Sequence, residues 1–275
     1  YGYKEFYEGL TADYIVDCMH RTNGLITHED LKNYTIVERE PIKFKYRGYT
    51  IYSMPPPSSG GITLASILNQ LEFIDFSNIN FQSSMHLHYL VEAEKRAYAD
   101  RAKYLGDMDY VDVPLEQLIS KTYALERFKS INENKATTSS SIHPGEVIFD
   151  ESEETTHFSI VDKYGNAVSL TTTINGWYGS GITVDKAGFV LNNEMDDFSS
   201  KPGVPNMYGL VGSEANSIQP GKRMLSSMSP TIIENEEGDL YLVLGSPGGS
   251  TIITTVAQLI INIIDFDMSL QEAVE

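Results

Sequence analysis

The chain has 275 residues, of which 41% are hydrophobic and 11% aromatic, which is enough apolar side chain for a packed core and excludes a disordered protein. Its 20 basic and 38 acidic residues give a formal net charge of −18, a field that repels nucleic acid and anionic membrane surfaces. The single cysteine, Cys18, excludes an intrachain disulfide framework and a zinc site built from several cysteines.

The start of the chain and its apolar segments indicate whether it contains a signal peptide or a membrane span. The chain starts without an initiator methionine, a basic region or an apolar signal segment, so we expect no signal peptide within it. The longest apolar segment, residues 251–264, is too short to span a bilayer. These features predict a soluble segment with no membrane span, and residues 270–275 have the pattern of a helix start.

Residues 1–130 are predicted to be mostly helical. Residues 55–61 contain three prolines and are predicted to form a stiff loop, while residues 85–105 and 114–131 are predicted to be helices, the first charged on one side. The helix that follows the stiff loop is predicted to be amphipathic, with an apolar stripe of Leu64, Ile67, Leu68, Leu71 and Ile74.

The pattern changes after residues 132–152, which lack periodicity and predict an exposed connector. Alternating segments then predict strands, first a hairpin and later residues 188–191, 230–234 and 240–244. Residues 251–264 are predicted to be a buried helix capped by Ser250. Helices, then sheet, then helices predict a layered α/β sandwich.

A tight turn sets the register of the hairpin. Residues 163–165 form a three-residue loop with glycine in the left-handed conformation, which pairs Asp162 with Asn166. Counting back along both strands places Thr155 opposite Thr173, with both side chains on the polar face of the sheet. The register thus predicts two neighbouring hydroxyl groups.

Thr155 has two interpretations. It can simply begin a strand, or its hydroxyl can be a nucleophile, because an N-terminal threonine carries its own base in an α-amine of ordinary pKa roughly 7.7–8.0. The second interpretation requires cleavage of the Glu154–Thr155 bond, which the Thr155 hydroxyl could make by attacking the Glu154 carbonyl to form an ester that water hydrolyses. Thr156 points to the opposite, apolar face, with Phe158, Ile160, Val168 and Leu170.

Two further segments could contact a reacting substrate. Gly248 and Gly249 precede the apolar helix, where backbone N–H groups could form an oxyanion hole, although a plain tight turn is the commoner meaning of this pattern. Glu194 and Asp197 would lie one helical turn apart and could hold a cationic amine, or could be a solvated turn.

Hydroxyl groups and histidines complete the candidates. Ser226 and Ser227 are anion ligands or ordinary capping residues. His88 and Glu92 share a helical face, but no third ligand follows at a diagnostic spacing. Neither a metal nor a cofactor is therefore predicted.

Longer motifs run through nearly the whole chain and include several of these candidates. They are Asn23-Gly-Leu-Ile-Thr-His-Glu-Asp-Leu31, Tyr46-Arg-Gly-Tyr49, Ser53-Met-Pro-Pro-Pro-Ser-Ser-Gly-Gly61, Ala93-Glu-Lys-Arg-Ala-Tyr-Ala-Asp-Arg101, Thr155-Thr-His-Phe-Ser159, Asn192-Asn-Glu-Met-Asp-Asp-Phe-Ser199, Lys201-Pro-Gly-Val-Pro-Asn206, Leu225-Ser-Ser-Met-Ser-Pro230 and Gly245-Ser-Pro-Gly-Gly-Ser250. Together they resemble the γ-glutamyltranspeptidase family of N-terminal nucleophile hydrolases.

The resemblance implies an α+β fold, the four-layer αββα sandwich of the N-terminal nucleophile hydrolases. It also implies a precursor that cuts itself between Glu154 and Thr155. Residues 1–154 would be the C-terminal part of the large subunit and residues 155–275 the N-terminal part of the small catalytic subunit. The two parts would form one composite domain, truncated at both ends.

The resemblance also implies a role for each candidate. Thr155 would be the nucleophile, its freed amine the base, and Thr173 the hydroxyl that orients it. Gly248 and Gly249 would form the oxyanion hole. The positions that match substrate-binding residues are Asn175, Glu194 and Asp197 for the α-amino group, Ser226 and Ser227 for the α-carboxylate, and Tyr208 in a lid loop over the glutamyl pocket.

Glutathione-like substrates would leave a γ-glutamyl ester on Thr155, which passes to water or to the amine of an amino acid or peptide. The family also implies an extracytoplasmic location, periplasmic or secreted. Its carboxylate-binding arginine is expected upstream of residue 1, because its motif is not matched by Arg21, Arg39, Arg47, Arg96, Arg101, Arg127 or Arg223. One alternative is an amidase that acts on poly-γ-glutamate or on β-lactam side chains, and residues 176–178 could determine which of these substrates is used. The other alternative is a non-catalytic protein that keeps the fold.

Overall fold

The computed structural model describes residues 2–143, 155–199, 201, 204 and 212–275. Glu154, on one side of the predicted cleavage site, and Tyr208, in the predicted lid, lie outside the described residues. The chain divides into two compact units, a smaller one of residues 1–40 and 174–194 and a larger one of residues 41–173 and 195–275. These units are defined by how residues pack, whereas the predicted subunit boundary is defined by cleavage of one peptide bond. The two divisions are therefore different, and the subunit boundary stays a prediction.

The described helices and strands come in successive groups along the chain. The helices are α1 (Tyr3–Glu8), α2 (Leu10–Thr22), α3 (His28–Asn33), α4 (Gly60–Leu71), α5 (Ser84–Tyr104), α6 (Leu115–Leu118), α7 (Lys121–Lys129), α8 (Ile252–Ile264) and α9 (Leu270–Val274). The strands are β1 (Ile42–Tyr46), β2 (Tyr49–Ser53), β3 (Thr156–Val161), β4 (Ala167–Thr172), β5 (Thr183–Val184), β6 (Phe189–Val190), β7 (Thr231–Glu234) and β8 (Leu240–Leu244).

The core of the larger unit lies between a four-stranded antiparallel sheet, in the order β1-β2-β7-β8, and the helices α4, α5 and α8. Every residue of α4 is buried. The helix carries the predicted apolar stripe of Leu64, Ile67, Leu68 and Leu71 into the core, and it also buries the polar Thr63, Ser66, Asn69 and Gln70. It also begins at Gly60, inside the segment that was expected to be a loop. On α5, the expected charged side is largely inside the protein, since Glu92, Arg96, Asp100 and Arg101 are buried.

The prediction that residues 1–130 are mostly helical misses the hairpin β1–β2. Ile42, Phe44 and Tyr46 are buried and alternate with exposed lysines, which is the pattern of a strand with one covered face. The single helix predicted for residues 114–131 is also wrong. It is interrupted before Ser120, whose side chain accepts a hydrogen bond from the Tyr123 N–H and caps α7.

The hairpin β3–β4 has the predicted register. The pairs run from Thr156–Thr172 to Val161–Ala167, and Gly165 closes the turn at φ 86°. The polar face contacts the main sheet, because the Ser169 hydroxyl donates to the Leu244 carbonyl at 2.9 Å and accepts from the Thr231 N–H at 3.0 Å.

The apolar face of the same hairpin is exposed in the described structure. Phe158, Ile160, Val168 and Leu170 keep between 37% and 54% of their surface in contact with solvent. The expectation that Thr156 faces this set is confirmed by the alternation of β3, but the described residues do not bury it.

The C-terminal segment is close to its prediction. Helix α8 is buried over most of its length, but the predicted Ser250 cap is wrong. Its N-cap is Thr251, without a side-chain hydrogen bond, and Ser250 lies in a preceding 3-10 turn, Gly249–Thr251. The predicted last helix is present as α9, which begins with a capping box of Ser269 and Glu272.

The smaller unit contains α1, α2, α3 and the short pair β5–β6. Its core is formed by Ala12, Ile15, Val16, Cys18, Met19, Leu31 and Val184. The cysteine is thus a small buried apolar residue of this core. No helix in the described part of the chain is both long and apolar enough to cross a membrane.

The start of the predicted connector is held against α5. The buried Glu92 carboxylate accepts hydrogen bonds from the backbone and hydroxyl of Thr137, and it forms an ion pair with Arg96 at 2.7 Å. Burial raises the pKa of Glu92, but these hydrogen bonds outweigh burial and lower it from 4.5 to about 2.

We predict that this carboxylate makes stability pH-dependent in acid. A pKa lower in the folded than in the unfolded protein stabilises the fold above pH 4.5, and the stabilisation is lost as the pH falls towards 2. Urea midpoints measured across this range should fall for the wild type and fall less for Glu92→Gln. Thr137→Val should have an intermediate slope, and equal slopes for all three would contradict the role of Glu92.

Candidate active site

Thr155 and Thr173 lie at the open end of the β3–β4 hairpin. Thr155 immediately precedes β3, Thr173 immediately follows β4, and both are partly buried. The observed pairing, continued outward by one residue, places them opposite each other on the polar face. Thr156, on the other face, is exposed.

The strand that follows Thr155, β3, lies against the glycine-rich segment after β8. His157 lies against Gly245, where a Cβ would collide with its imidazole ring. The ring is held by the hydroxyls of Thr171, at 2.8 Å, and Ser159, at 3.1 Å, and burial lowers the pKa of this histidine. A glycine is therefore required where β3 approaches this segment.

Gly248 and Gly249, the candidate oxyanion residues, both have positive φ angles. Their φ angles are 124° and 51°, in the region where glycine is favoured. Gly249 starts the 3-10 turn that leads into α8, where the first N–H groups of a helix lack intrahelical acceptors. The Tyr98 hydroxyl of α5 donates to the Ser250 carbonyl at 2.7 Å and holds this turn in place.

Ser226 and Ser227 lie in a segment that pairs with the proline-rich loop before α4. Ser226 donates its N–H to the Pro57 carbonyl at 3.0 Å and accepts from the Ser59 N–H at 2.8 Å. The Ser58 hydroxyl donates to the Met228 carbonyl at 2.7 Å. The stiff loop thus fixes the backbone of the candidate carboxylate ligands.

Arg101 of α5 reaches the same two segments. Its guanidinium donates from Nε to the Ser59 hydroxyl at 2.8 Å and from a terminal nitrogen to the Ser227 hydroxyl at 3.1 Å. The side chain is 4% exposed. Burial lowers the pKa of Arg101, whereas the neighbouring Tyr98 and Asp197 raise it.

Asp197 is connected to the serines through its main chain. The Asn216 side chain donates to the Asp197 carbonyl at 2.7 Å and accepts from the Leu225 N–H at 2.9 Å. Asn216 is 4% exposed. This single amide therefore connects the candidate amine ligand to the residue that precedes Ser226.

Glu194 and Asn175 belong to the smaller unit. Glu194 begins the 3-10 turn Glu194–Asp197, which confirms that Glu194 and Asp197 are one turn apart, and burial raises its pKa. Asn175 has a left-handed φ of 71° and donates from its side chain to the Asn193 carbonyl at 3.3 Å. Asparagine tolerates this conformation better than most residues, and Trp177 and Tyr178 after it are exposed.

The weak metal candidates have other partners. His88 bonds the Asn132 carbonyl at 2.9 Å through Nε2, and Glu92 binds Arg96, Lys95 and Thr137. The described ranges contain no group of three metal-ligating side chains of the His, Cys, Asp or Glu type.

Sequence reasoning missed Arg101, Asn216 and His157. Arg101 and Asn216 contact the candidate residues from other parts of the chain, and His157 contacts Gly245 near the candidate glycines. A signal for Arg101 was present, because it ends a helical motif rich in alanine, where a charged side chain among small residues indicates a buried partner.

The chain is similar to several known proteins. The sequence model of the γ-glutamyltranspeptidase family matches residues 1–275. A glutathione hydrolase proenzyme from Escherichia coli strain K12 is 54% identical over 272 residues, covering 99% of this chain and 47% of that protein. A protein of the same name from Pseudomonas aeruginosa is 49% identical over 275 residues, covering 99% of this chain and 48% of that protein.

A solved structure extends the similarity to the fold. The crystal structure of cephalosporin acylase from Bacillus halodurans matches with a TM-score of 0.79 at 28% identity, over 96% of this chain and 45% of that one. This match confirms the predicted α+β class of the N-terminal nucleophile hydrolases, whose fold is the four-layer αββα sandwich. The chain spans about half the length of the curated relatives it matches.

We predict that Gly60 is required for the pairing of the two serine-containing segments. An alanine there would gain about 1 kcal/mol of helix propensity, but its methyl group would collide with the Met228 carbonyl and lie 2.6 Å from the Ser229 hydroxyl. Because main chain must move, Gly60→Ala should lower the free energy of unfolding by about 1–3 kcal/mol, as measured by urea denaturation.

Gly24→Ala is the matched control. Its methyl group would meet the Met19 sulfur, the mobile end of a flexible side chain, so the loss should be smaller. Equal losses for both variants would contradict the tight pairing at Gly60.

Proposed function

The chain belongs to the γ-glutamyltranspeptidase family, and we propose that it forms the catalytic part of a γ-glutamyl transferase and hydrolase acting on glutathione-like substrates. The observation that carries this proposal is the β3–β4 register, in which Thr156 pairs with Thr172. Extending this pairing outward by one residue brings Thr155 opposite Thr173. The 54% identity to a glutathione hydrolase proenzyme supports it independently.

The first step would be self-cleavage. The Thr155 hydroxyl attacks the Glu154 carbonyl carbon and the peptide nitrogen leaves as the α-amine of Thr155, giving an ester. Water hydrolyses this ester and releases the Glu154 carboxylate. The products would be residues 1–154 of a large subunit and residues 155–275 of a small subunit.

The second step would be acyl transfer to the new N-terminus. The α-amine takes the proton of the Thr155 hydroxyl as its oxygen attacks the γ-carbonyl of the substrate, while Thr173 orients that hydroxyl. Backbone N–H groups of Gly248 and Gly249 stabilise the oxyanion. The amide nitrogen leaves with the proton, and the γ-glutamyl ester passes to water or to an amine.

Recognition of glutamate would use charge at both α-substituents. Asn175, Glu194 and Asp197 hold the α-ammonium group, and Ser226 and Ser227 hold the α-carboxylate. Burial raises the pKa of Glu194, so a bound ammonium ion would stabilise its charged form. An analogue lacking either substituent leaves buried polar groups unpaired and binds more weakly. Tyr208 would belong to a lid over this pocket.

Two properties of the whole protein belong to the same proposal. The partners are the two subunits of one precursor, a γ-glutamyl substrate, and an amine or water as acceptor. The location is extracytoplasmic, as in the family.

A second candidate activity is the removal of an acyl side chain from a β-lactam. It is favoured by the match to cephalosporin acylase and would use the same nucleophile. Parallel assays with a γ-glutamyl anilide and an acylated β-lactam distinguish the two, and we expect the anilide to be cleaved faster.

The two adjacent threonines provide the test of the proposal. In the full-length protein, Thr155→Ala should abolish both subunit formation and release of the anilide, because it removes the nucleophile of both steps. Thr156→Ala should leave both in place, since Thr156 points to the exposed face. Gel electrophoresis and mass spectrometry measure the first effect, and absorbance measures the second.

Equal loss of cleavage in both variants would contradict the register. A wild-type protein that stays uncut and inactive after long incubation would favour a non-catalytic protein that keeps the fold.

A further inference from the structure

Arg101 is a buried cation beside Ser227 and Asp197, two of the residues proposed to hold the substrate's α-substituents. It donates hydrogen bonds to Ser59 and Ser227. Burial lowers the pKa of Arg101, whereas the negative charge of Asp197 raises it. A buried guanidinium is costly to desolvate, and no step of the reaction proposed above uses it.

The contact with Ser227 determines which way that hydroxyl can donate. Arginine has five N–H donors and no acceptor, so the Ser227 oxygen must accept from it and the hydroxyl hydrogen must point elsewhere. Within the part of the chain that the structure describes, the Ser227 hydroxyl has this one hydrogen bond, in which its oxygen accepts. Its hydrogen is therefore available for a ligand.

The contact with Ser59 holds the guanidinium in place. The Ser59 hydroxyl accepts from Arg101 Nε and donates to the Ser226 carbonyl at 2.7 Å. One side chain of α5 thus connects the stiff loop before α4 to both candidate carboxylate ligands. A change at Arg101 would be transmitted to Ser227 through a hydrogen bond and through charge.

We propose that Arg101 is a positioning residue that strengthens the anion selectivity of the α-carboxylate subsite beside the direct carboxylate-binding arginine expected upstream, by fixing Ser227 as a hydrogen-bond donor and by placing a buried positive charge behind it. This inference rests on the proposed function, since it assigns a cause to the acid selectivity of that same site. A neutral carboxamide would lose the attraction of the charge. An α-ammonium group would meet a donor and a cation and would be excluded.

The test uses the full-length protein and two substrates, a γ-glutamyl anilide with a free α-carboxylate and the same anilide with an α-carboxamide. For Arg101→Gln we expect KM for the carboxylate substrate to rise about tenfold, with kcat and the carboxamide KM nearly unchanged. Arg101→Lys, which keeps the charge, should retain most of the selectivity. Arg96→Gln removes another buried arginine of α5, bonded to Glu92 and Ser130, and should leave the carboxylate-to-carboxamide ratio unchanged.

A double-mutant cycle tests whether Arg101 acts through Ser227. In the Ser227→Ala background, Arg101→Gln should change the carboxylate KM much less than in the wild type. Additive effects, an unchanged ratio in Arg101→Gln, or an equal fall in kcat for both substrates would overturn the proposal. A wild-type protein that cleaves neither substrate would instead overturn the proposed function.

A crystal structure of the wild-type protein with bound glutamate tests the inference even if Arg101→Gln does not fold. We expect the Ser227 oxygen to lie within hydrogen-bond distance of both the guanidinium and the α-carboxylate. An α-carboxylate bound directly to Arg101, or bound away from Ser227, would overturn the positioning role.

Discussion

The register of one hairpin is the constraint on which the rest of the site depends. Three hydrogen bonds to the Asp162 side chain, from Tyr164 and Asn166, close the turn around Gly165. A slip of one residue would send every side chain of β3 to the other face. Thr155 would then point away from Thr173 and towards the exposed apolar side. A surface turn thus decides which of two adjacent threonines can be a nucleophile.

Helix α5 connects the other parts of the larger unit's site. Tyr98 holds the turn that contains Gly248 and Gly249, and Arg101, one helical turn later, holds the serine-containing segments. Because both side chains project from one helix, they hold the candidate oxyanion residues and the candidate carboxylate ligands in place relative to each other. Asn216 extends the arrangement to the main chain of Asp197.

Sequence patterns predicted the elements that depend on residues close together in the chain. The β3–β4 register follows from a glycine turn and alternation, and α8 follows from an apolar run too long for a strand. The hairpin β1–β2 was missed although Ile42, Phe44 and Tyr46 alternate with lysines. The contacts of Arg101 and Asn216 join segments far apart in sequence, so only the folded chain reveals them. The roles of Asn175, Glu194 and the site residues as a set came from family resemblance and remain proposals.

The central claim is that Thr155 becomes a new N-terminus and carries the γ-glutamyl group. The most direct measurement is to quench the full-length protein in acid during turnover of a γ-glutamyl anilide and to map its peptides by mass spectrometry. The account predicts a peptide that begins at Thr155 and carries one γ-glutamyl group on that residue. An uncut Glu154–Thr155 bond, or a γ-glutamyl group found on Thr156 or Thr173 instead, would contradict it.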